Sequence, residues 1–151
     1  MTLLLVLISS GQLSASDGIE RWAVVPQTDL YENKVGTFIE NLVLKDANGQ
    51  NQHLYSQDRV LTVLTIFDID CPISLKQVPK IQRLEKEFPK VVFKHVYISK
   101  LASKESVVTE FDKRQYKGQL LIDQEGLFVN QLKIKTTCEN FVIDSKGTLK
   151  Y

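Results

Sequence analysis

The sequence has little of what builds a small fold around disulfides or a metal. Only two cysteines, Cys71 and Cys138, and two histidines, His53 and His95, occur among its 151 residues. Two cysteines exclude a framework of several bridges, and a chain of this length can bury a core without one. Neither histidine has motif spacing to either cysteine, so no metal ligand is assigned. Charge of one sign is lacking too: 19 basic residues against 18 acidic ones leave a net +1. The basic residues are scattered with no aromatic stripe, which argues against a nucleic-acid partner or an acidic interaction tail. No apolar run approaches the roughly 20 residues that cross a bilayer. Internal repeats and low-complexity tracts are also missing. With 43% hydrophobic and 25% charged residues, the composition is that of one ordinary globular domain.

The N-terminus carries a short apolar run, Leu3 to Ile8, followed by Ser9 to Ser16. Ser14 and Ser16 stand where a signal peptidase requires small side chains, which predicts a signal peptide over residues 1–16 and a periplasmic or secreted protein. No membrane association is expected after cleavage, and no cysteine lies near the cut for a lipid anchor. No lysine or arginine precedes the run, and a buried N-terminal strand is the alternative. Residues 17–35 read as irregular, with Trp22, Pro26 and Gln27-Thr28-Asp29.

A regular pattern occupies 36–151. Phe38 to Leu44 reads as a strand closed by the turn signal Asp46-Ala47-Asn48-Gly49, with His53 to Tyr55 returning. Val60 to Phe67 is a run suited to a central strand buried on both faces. Leu75, Val78, Ile81, Leu84 and Phe88 then recur at helical spacing up to Pro89, with Lys76, Lys80, Arg83 and Lys86 between them. Val91 to Ile98 is a second strand, and His95 is expected on its polar face. Ser103 caps a helix whose inner face is Val107, Val108 and Phe111. Leu120 to Ile122 is a short strand. Gly126 to Ile134 is a short helix with Leu127, Val129 and Leu132 as core contacts. Phe141 to Tyr151 closes the chain as a hairpin around Ser145-Lys146-Gly147. This alternation predicts an α/β fold with a mixed sheet flanked by helices. It also places Cys71 at the carboxyl end of a central strand, where reacting groups gather.

Asp70-Cys71-Pro72-Ile73-Ser74 joins that strand to the helix. Unpaired amides and partial positive charge at a helix N-terminus stabilise a thiolate, the reactive form of cysteine. Pro72 is harmless in the first turn, where its missing N–H has no intrahelical partner. Pro79 falls inside the helix. Asp68 and Asp70 are possible proton acceptors, although acids beside a thiol also raise its pKa. Ser74 reads as a first-turn helix residue.

A strand, then Cys-Pro, then a helix with Pro79 eight residues after Cys71 resembles the active-site element of thioredoxin-like proteins. Asp70 to Pro79 is similar to the "DCPIS…VP" segment of bacterial redoxin-domain proteins in the alkyl hydroperoxide reductase/thiol-specific antioxidant branch. Glu139 to Tyr151 is similar to that group's "PE-x-FV-[LI]-D-x-x-G-x-L-x-Y" hairpin. The resemblance implies a thioredoxin-like fold over residues 36–151, without the family's C-terminal helix. It implies a protein thiol or disulfide partner, or a small thiol or peroxide substrate, and no cofactor. Two departures stand out. Ser74 occupies the place of the second cysteine of a Cys-x-x-Cys pair. Leu64 and Asp68 occupy those of the proline and threonine of the peroxiredoxin pattern.

Where the family carries a cis-proline beside the active-site cysteine, this chain has Cys138, preceded by Thr137. The resemblance therefore implies that Cys71 and Cys138 face each other across 67 positions of sequence, with Thr137 in support. Three alternatives follow: a redox pair in which Cys138 resolves a mixed disulfide on Cys71, a two-thiolate site for a soft ion such as Cu(I), or a small buried residue replacing proline. As a whole the expectation is an exported thiol–disulfide oxidoreductase. A non-catalytic redoxin-like binding module is its rival.

Overall fold

The structure, a computed structural model, describes residues 35–151. The expected signal peptide over 1–16, and the irregular segment up to residue 34, lie outside the described residues.

The architecture is an open mixed sheet with helices on its faces, as the alternation of elements predicts. In chain order the elements are β1 (Val43–Asp46), β2 (Asn51–His53), β3 (Leu61–Phe67), α1 (Pro72–Glu87), β4 (Val92–Tyr97), α2 (Lys104–Lys113), β5 (Gln119–Ile122), α3 (Leu127–Leu132) and β6 (Asn140–Asp144). The six strands lie in the order β2-β1-β5-β4-β3-β6. β3, β4 and β5 run parallel, with α1 and α2 as crossovers, while β1 and β6 are antiparallel to their neighbours. Among the described residues no helix is long and apolar enough to cross a membrane.

The run of β3 pairs along both edges, with β4 and β6, and its side chains enter a separate apolar cluster on each face. Leu64 and Ile66 enter a core with Val96, Leu121, Phe128 and Phe141. Phe67 turns the other way to meet Tyr97, Val107, Phe111 and Leu120. The alternation of side chains along a strand divides them in this way.

Several boundaries and faces differ from the sequence pattern. The first strand begins at Val43 and not Phe38, which makes only an isolated bridge to Thr148. The Asn41 side chain interrupts it, accepting the Tyr55 amide at 3.0 Å and donating to the Tyr55 carbonyl at 3.1 Å in place of a ladder. The returning strand ends at His53, so that Leu54 and Tyr55 turn into the core. In α3 Leu132 packs in the core as expected, joined by Phe128, while Leu127 stands exposed.

The largest difference concerns α1 and His95. Leu75 and Phe88 are about half exposed (47% and 51%), whereas Ser74, Ile81 and Glu85 face inward. The cause is a buried ion-dipole site that apolar periodicity cannot register. His95 is fully buried and not on a polar face. Its Nε2 lies 2.9 Å from Glu85 Oε1. The same carboxylate accepts the amides of Lys117 and Gly118, each at 2.9 Å. Tyr116 stacks on the imidazole at 4.1 Å. Gly118 is required by this crowding, because a Cβ there would lie 2.6 Å from the Phe93 carbonyl oxygen and 2.8 Å from His95 Nε2.

This site predicts that folding is sensitive to acid. Burial holds His95 below its ordinary value of 6.5. For Glu85, burial alone would raise the value, but hydrogen bonds from His95, Lys117 and Gly118 outweigh it and hold the carboxyl below 4.5. A depressed folded-state value gives stability that is present above the unfolded value and lost as pH falls through the folded one. In urea titrations stability is expected to decline below pH 6.5, by up to about 1.4 kcal/mol per pH unit from His95. Glu85 adds to the loss from 4.5 downward. His95→Gln, which does not titrate, should remove the upper part of that decline. An equally steep loss in the variant would assign the acid sensitivity to other groups.

Candidate active site

Three short segments meet at the carboxyl edge of β3. The first is the loop Asp68–Asp70, which leaves β3 and delivers Cys71 to the start of α1. Cys71 is the N-cap, in extended conformation (φ −85°, ψ 116°), and Pro72 occupies the first turn. The Cys71 carbonyl accepts the first helical bond, from the Leu75 amide at 3.1 Å. Asp68 closes the loop by accepting the Asp70 amide on Oδ1 at 2.9 Å. Ser74 is buried, and its hydroxyl accepts the Asp68 amide at 3.3 Å. Asp68 and Ser74 therefore both bond the loop itself, while Asp70 is exposed.

The second segment is the turn between α3 and β6. The Glu139 carboxylate gathers it, accepting the Lys135 amide at 3.0 Å, the Thr136 amide at 2.8 Å and the Thr136 hydroxyl at 3.1 Å. The Glu139 carbonyl accepts the Ile66 amide at 2.9 Å, which fastens the turn to β3. Thr137 and Cys138 are thereby presented to Cys71. Cys138 adopts a left-handed backbone (φ 74°), and no cis peptide occurs among the described residues. The Asn140 side chain donates to its carbonyl at 3.0 Å.

The two sulfurs lie 3.9 Å apart. Both thiols are free, in van der Waals contact and not bonded; a disulfide bond is about 2.05 Å long. The Thr137 hydroxyl donates to Cys71 Sγ at 3.1 Å. Their acidities diverge. Cys71 is held below the ordinary thiol value, first by the Thr137 hydroxyl and then by the amides of Ser74 and Ile73 and the Cys138 thiol. The acid pair at 68 and 70 does not reverse that direction. Burial pushes Cys138 up, and the adjoining Cys71 adds to the rise. The site thus contains one thiol readied for ionisation and one kept protonated.

The third segment carries a residue that the sequence pattern did not single out. Arg114, at the C-terminus of α2, is buried. Its guanidinium donates to the carbonyls of Asp68 at 2.9 Å and Ile69 at 3.0 Å. Nothing in its sequence neighbourhood, Asp112-Lys113-Arg114-Gln115, separates it from a solvated helix end. Among the described residues no group of three or more histidine, cysteine, aspartate or glutamate side chains is arranged to hold a metal ion.

The comparisons agree with this architecture. Residues 35–151 match the AhpC/TSA family. No curated protein matches the chain. A secreted Mycobacterium tuberculosis disulfide oxidoreductase homologous to E. coli DsbE superposes with a TM-score of 0.63 at 14% identity, over 73% of this chain and 81% of its own. A putative thiol:disulfide interchange protein DsbE from Chlorobium tepidum gives 0.69 at 13% identity, over 78% of this chain and 83% of its own. A hypothetical protein from Sinorhizobium meliloti 1021 gives 0.73 at 17%, over 79% and 69%. At these identities the likeness concerns the fold, which is thioredoxin-like.

Two outcomes test the geometry. Thr137→Val keeps the shape and removes the donor to Cys71. The alkylation profile of Cys71 should move to higher pH, and its rate at neutral pH should fall about tenfold, as expected for a hydrogen bond to a charged group. An unchanged profile would deny Thr137 that part. At position 138, glycine and alanine both delete the thiol, but only glycine accepts the left-handed backbone freely. Cys138→Gly should therefore exceed Cys138→Ala in stability by about 0.5–1 kcal/mol in urea unfolding.

Proposed function

Taking as premise that the chain belongs to the AhpC/TSA family, we propose that it is an exported thiol–disulfide oxidoreductase acting through Cys71 and Cys138. The observation that carries the proposal is the 3.9 Å contact between a thiol of lowered pKa and one of raised pKa.

The chemistry follows from that asymmetry. The Cys71 thiolate attacks one sulfur of a partner disulfide. A Cys71–partner bond forms, the partner's S–S bond breaks, and the second partner sulfur leaves as a thiolate that takes a proton from solvent. Cys71 then carries no charge, so its opposition to ionisation of Cys138 ends. Cys138 loses its proton and attacks Cys71 Sγ, and the partner's remaining sulfur leaves. The products are a Cys71–Cys138 disulfide and a partner dithiol, with two electrons passed to the partner. An external dithiol, or two equivalents of a thiol, returns the pair to the reduced state by the reverse steps and leaves as a disulfide. Cys138 supplies from the β6 turn what a second cysteine at position 74 supplies in a Cys-x-x-Cys pair.

Disulfides suit this site better than peroxides. Leu64 is buried in the core, and Asp68 closes the loop with its carboxylate. Neither offers the hydroxyl that the peroxiredoxin pattern places before its cysteine. A protein of the periplasm or exterior would meet such disulfides. The apolar run at Leu3 to Ile8, followed by Ser14 and Ser16, supports that destination, and one of the similar structures is of a secreted protein.

Reduced full-length protein mixed with excess oxidised glutathione provides the test. Wild type should end as an intramolecular Cys71–Cys138 disulfide by mass spectrometry. Cys138→Ser should stop at the glutathione adduct of Cys71, and Cys71→Ser should react at least tenfold more slowly. Two thiols that remain free in wild type would replace this reading with that of a binding module.

A further inference from the structure

The guanidinium of Arg114 stands in an unusual setting. Its residue is 7% exposed, yet none of the ion pairs among the described residues includes it. Burying an arginine without a carboxylate is costly unless its donors are well used. Here the fork closes on two successive carbonyls, those of Asp68 and Ile69. The face of the guanidinium covers the Phe67 ring, with Cζ 4.6 Å from the centroid. Its own backbone carbonyl accepts Gln82 Nε2 from α1 at 2.7 Å. One residue thus touches the end of β3, the loop and the body of α1, the parts that seat Cys71. Nε is buried with no partner, while the Tyr116 hydroxyl is a further neighbour hydrogen-bonded to the side chain.

We propose that Arg114 is the positioning residue of the Cys71 thiolate, clamping the carbonyls of Asp68 and Ile69 so that the β3–α1 loop presents Cys71 in line with the Thr137 hydroxyl and the first amides of α1. A loop carbonyl left without a donor would have to turn toward another one, and the amides and hydroxyl around Cys71 are the donors at hand. Engaging both carbonyls on the guanidinium leaves those donors to the sulfur. The planar fork does this with two parallel bonds, which a lysine ammonium cannot reproduce. Arg114 acts through the loop and does not touch the reacting atoms.

The inference rests on Cys71 being the nucleophile, and its test separates the two. Alkylation of Cys71 by iodoacetamide is followed against pH in full-length protein carrying Cys138→Ala, so that one thiol reports. Asp68 and Asp70 on the loop, and Tyr116 beside Arg114, are the ionisable neighbours and stay in place throughout. Adding Arg114→Met should shift the Cys71 profile to higher pH and slow alkylation at neutral pH about tenfold, with near-UV circular dichroism retained. Arg114→Lys should be intermediate. Gln82→Ala removes the α1 bond to the Arg114 carbonyl but leaves the fork, and should lower stability without moving the profile. A folded Arg114→Met with the parent profile overturns the proposal, as does a Gln82→Ala shift of equal size. Should Arg114→Met not fold, Arg114→Lys decides alone: a slowed profile supports the clamp and a parent profile overturns it. Failure of wild type to exchange with glutathione would overturn the oxidoreductase reading while leaving this comparison intact.

Discussion

Antiparallel pairing of β6 with β3 is the constraint on which the site depends. The register runs from Leu61↔Asp144 to Thr65↔Asn140. It forces the beginning of β6 to lie beside the end of β3. Residues far apart in sequence, Cys71 after β3 and Cys138 before β6, are thereby delivered to one edge of the sheet. The bond from the Ile66 amide to the Glu139 carbonyl extends the ladder one step into the turn. Because side chains alternate along a strand, a slip of one residue would turn the pairing set to the other face. The burial of Phe141 and Ile143 on one face opposes such a slip.

Within that frame, the two sulfurs differ because their surroundings differ. Cys71 sits at a helix start, with a hydroxyl donor 3.1 Å away. Cys138 sits in a turn whose left-handed backbone, uncommon for a residue with a side chain, is held by Glu139 and Asn140. Strain of this kind persists where neighbouring contacts over-determine it. Proximity alone would give two equivalent thiols, and the placement of donors and burial gives an order of ionisation.

Polar groups also shape the interior at positions where apolar ones would suffice for burial. Glu85 and His95 fix the inward face of α1, and Arg114 fixes the loop ahead of Cys71. Each satisfies several backbone groups at once: Glu85 takes two amides, and Arg114 takes two carbonyls. The aromatic layer of Phe67, Phe111 and Tyr116 packs with both His95 and Arg114, so the two polar sites share one wall. Such networks specify geometry more sharply than apolar packing does, at a cost in desolvation.

Much of the fold was legible in the chain. The β-branched run of β3, the Ser103 cap of α2 and the turn residues at Asp46–Gly49 and Ser145–Gly147 act through local preferences and side-chain periods that operate before any long-range contact forms. Cys71 was legible for the same reason, since a strand followed by Cys-Pro and a helix is a local pattern. The inward face of α1 and the burial of His95 were not, because a glutamate and a histidine become core residues only when each finds the other. Arg114 was silent too: two backbone carbonyls from another segment are invisible in its neighbours. By itself, then, the sequence determined which elements form and that a cysteine stands at a helix start. The resemblance implied that Cys138 faces it, but only the tertiary structure set the 3.9 Å contact and made Thr137 the donor, because both depend on strand register and sheet order across distant segments.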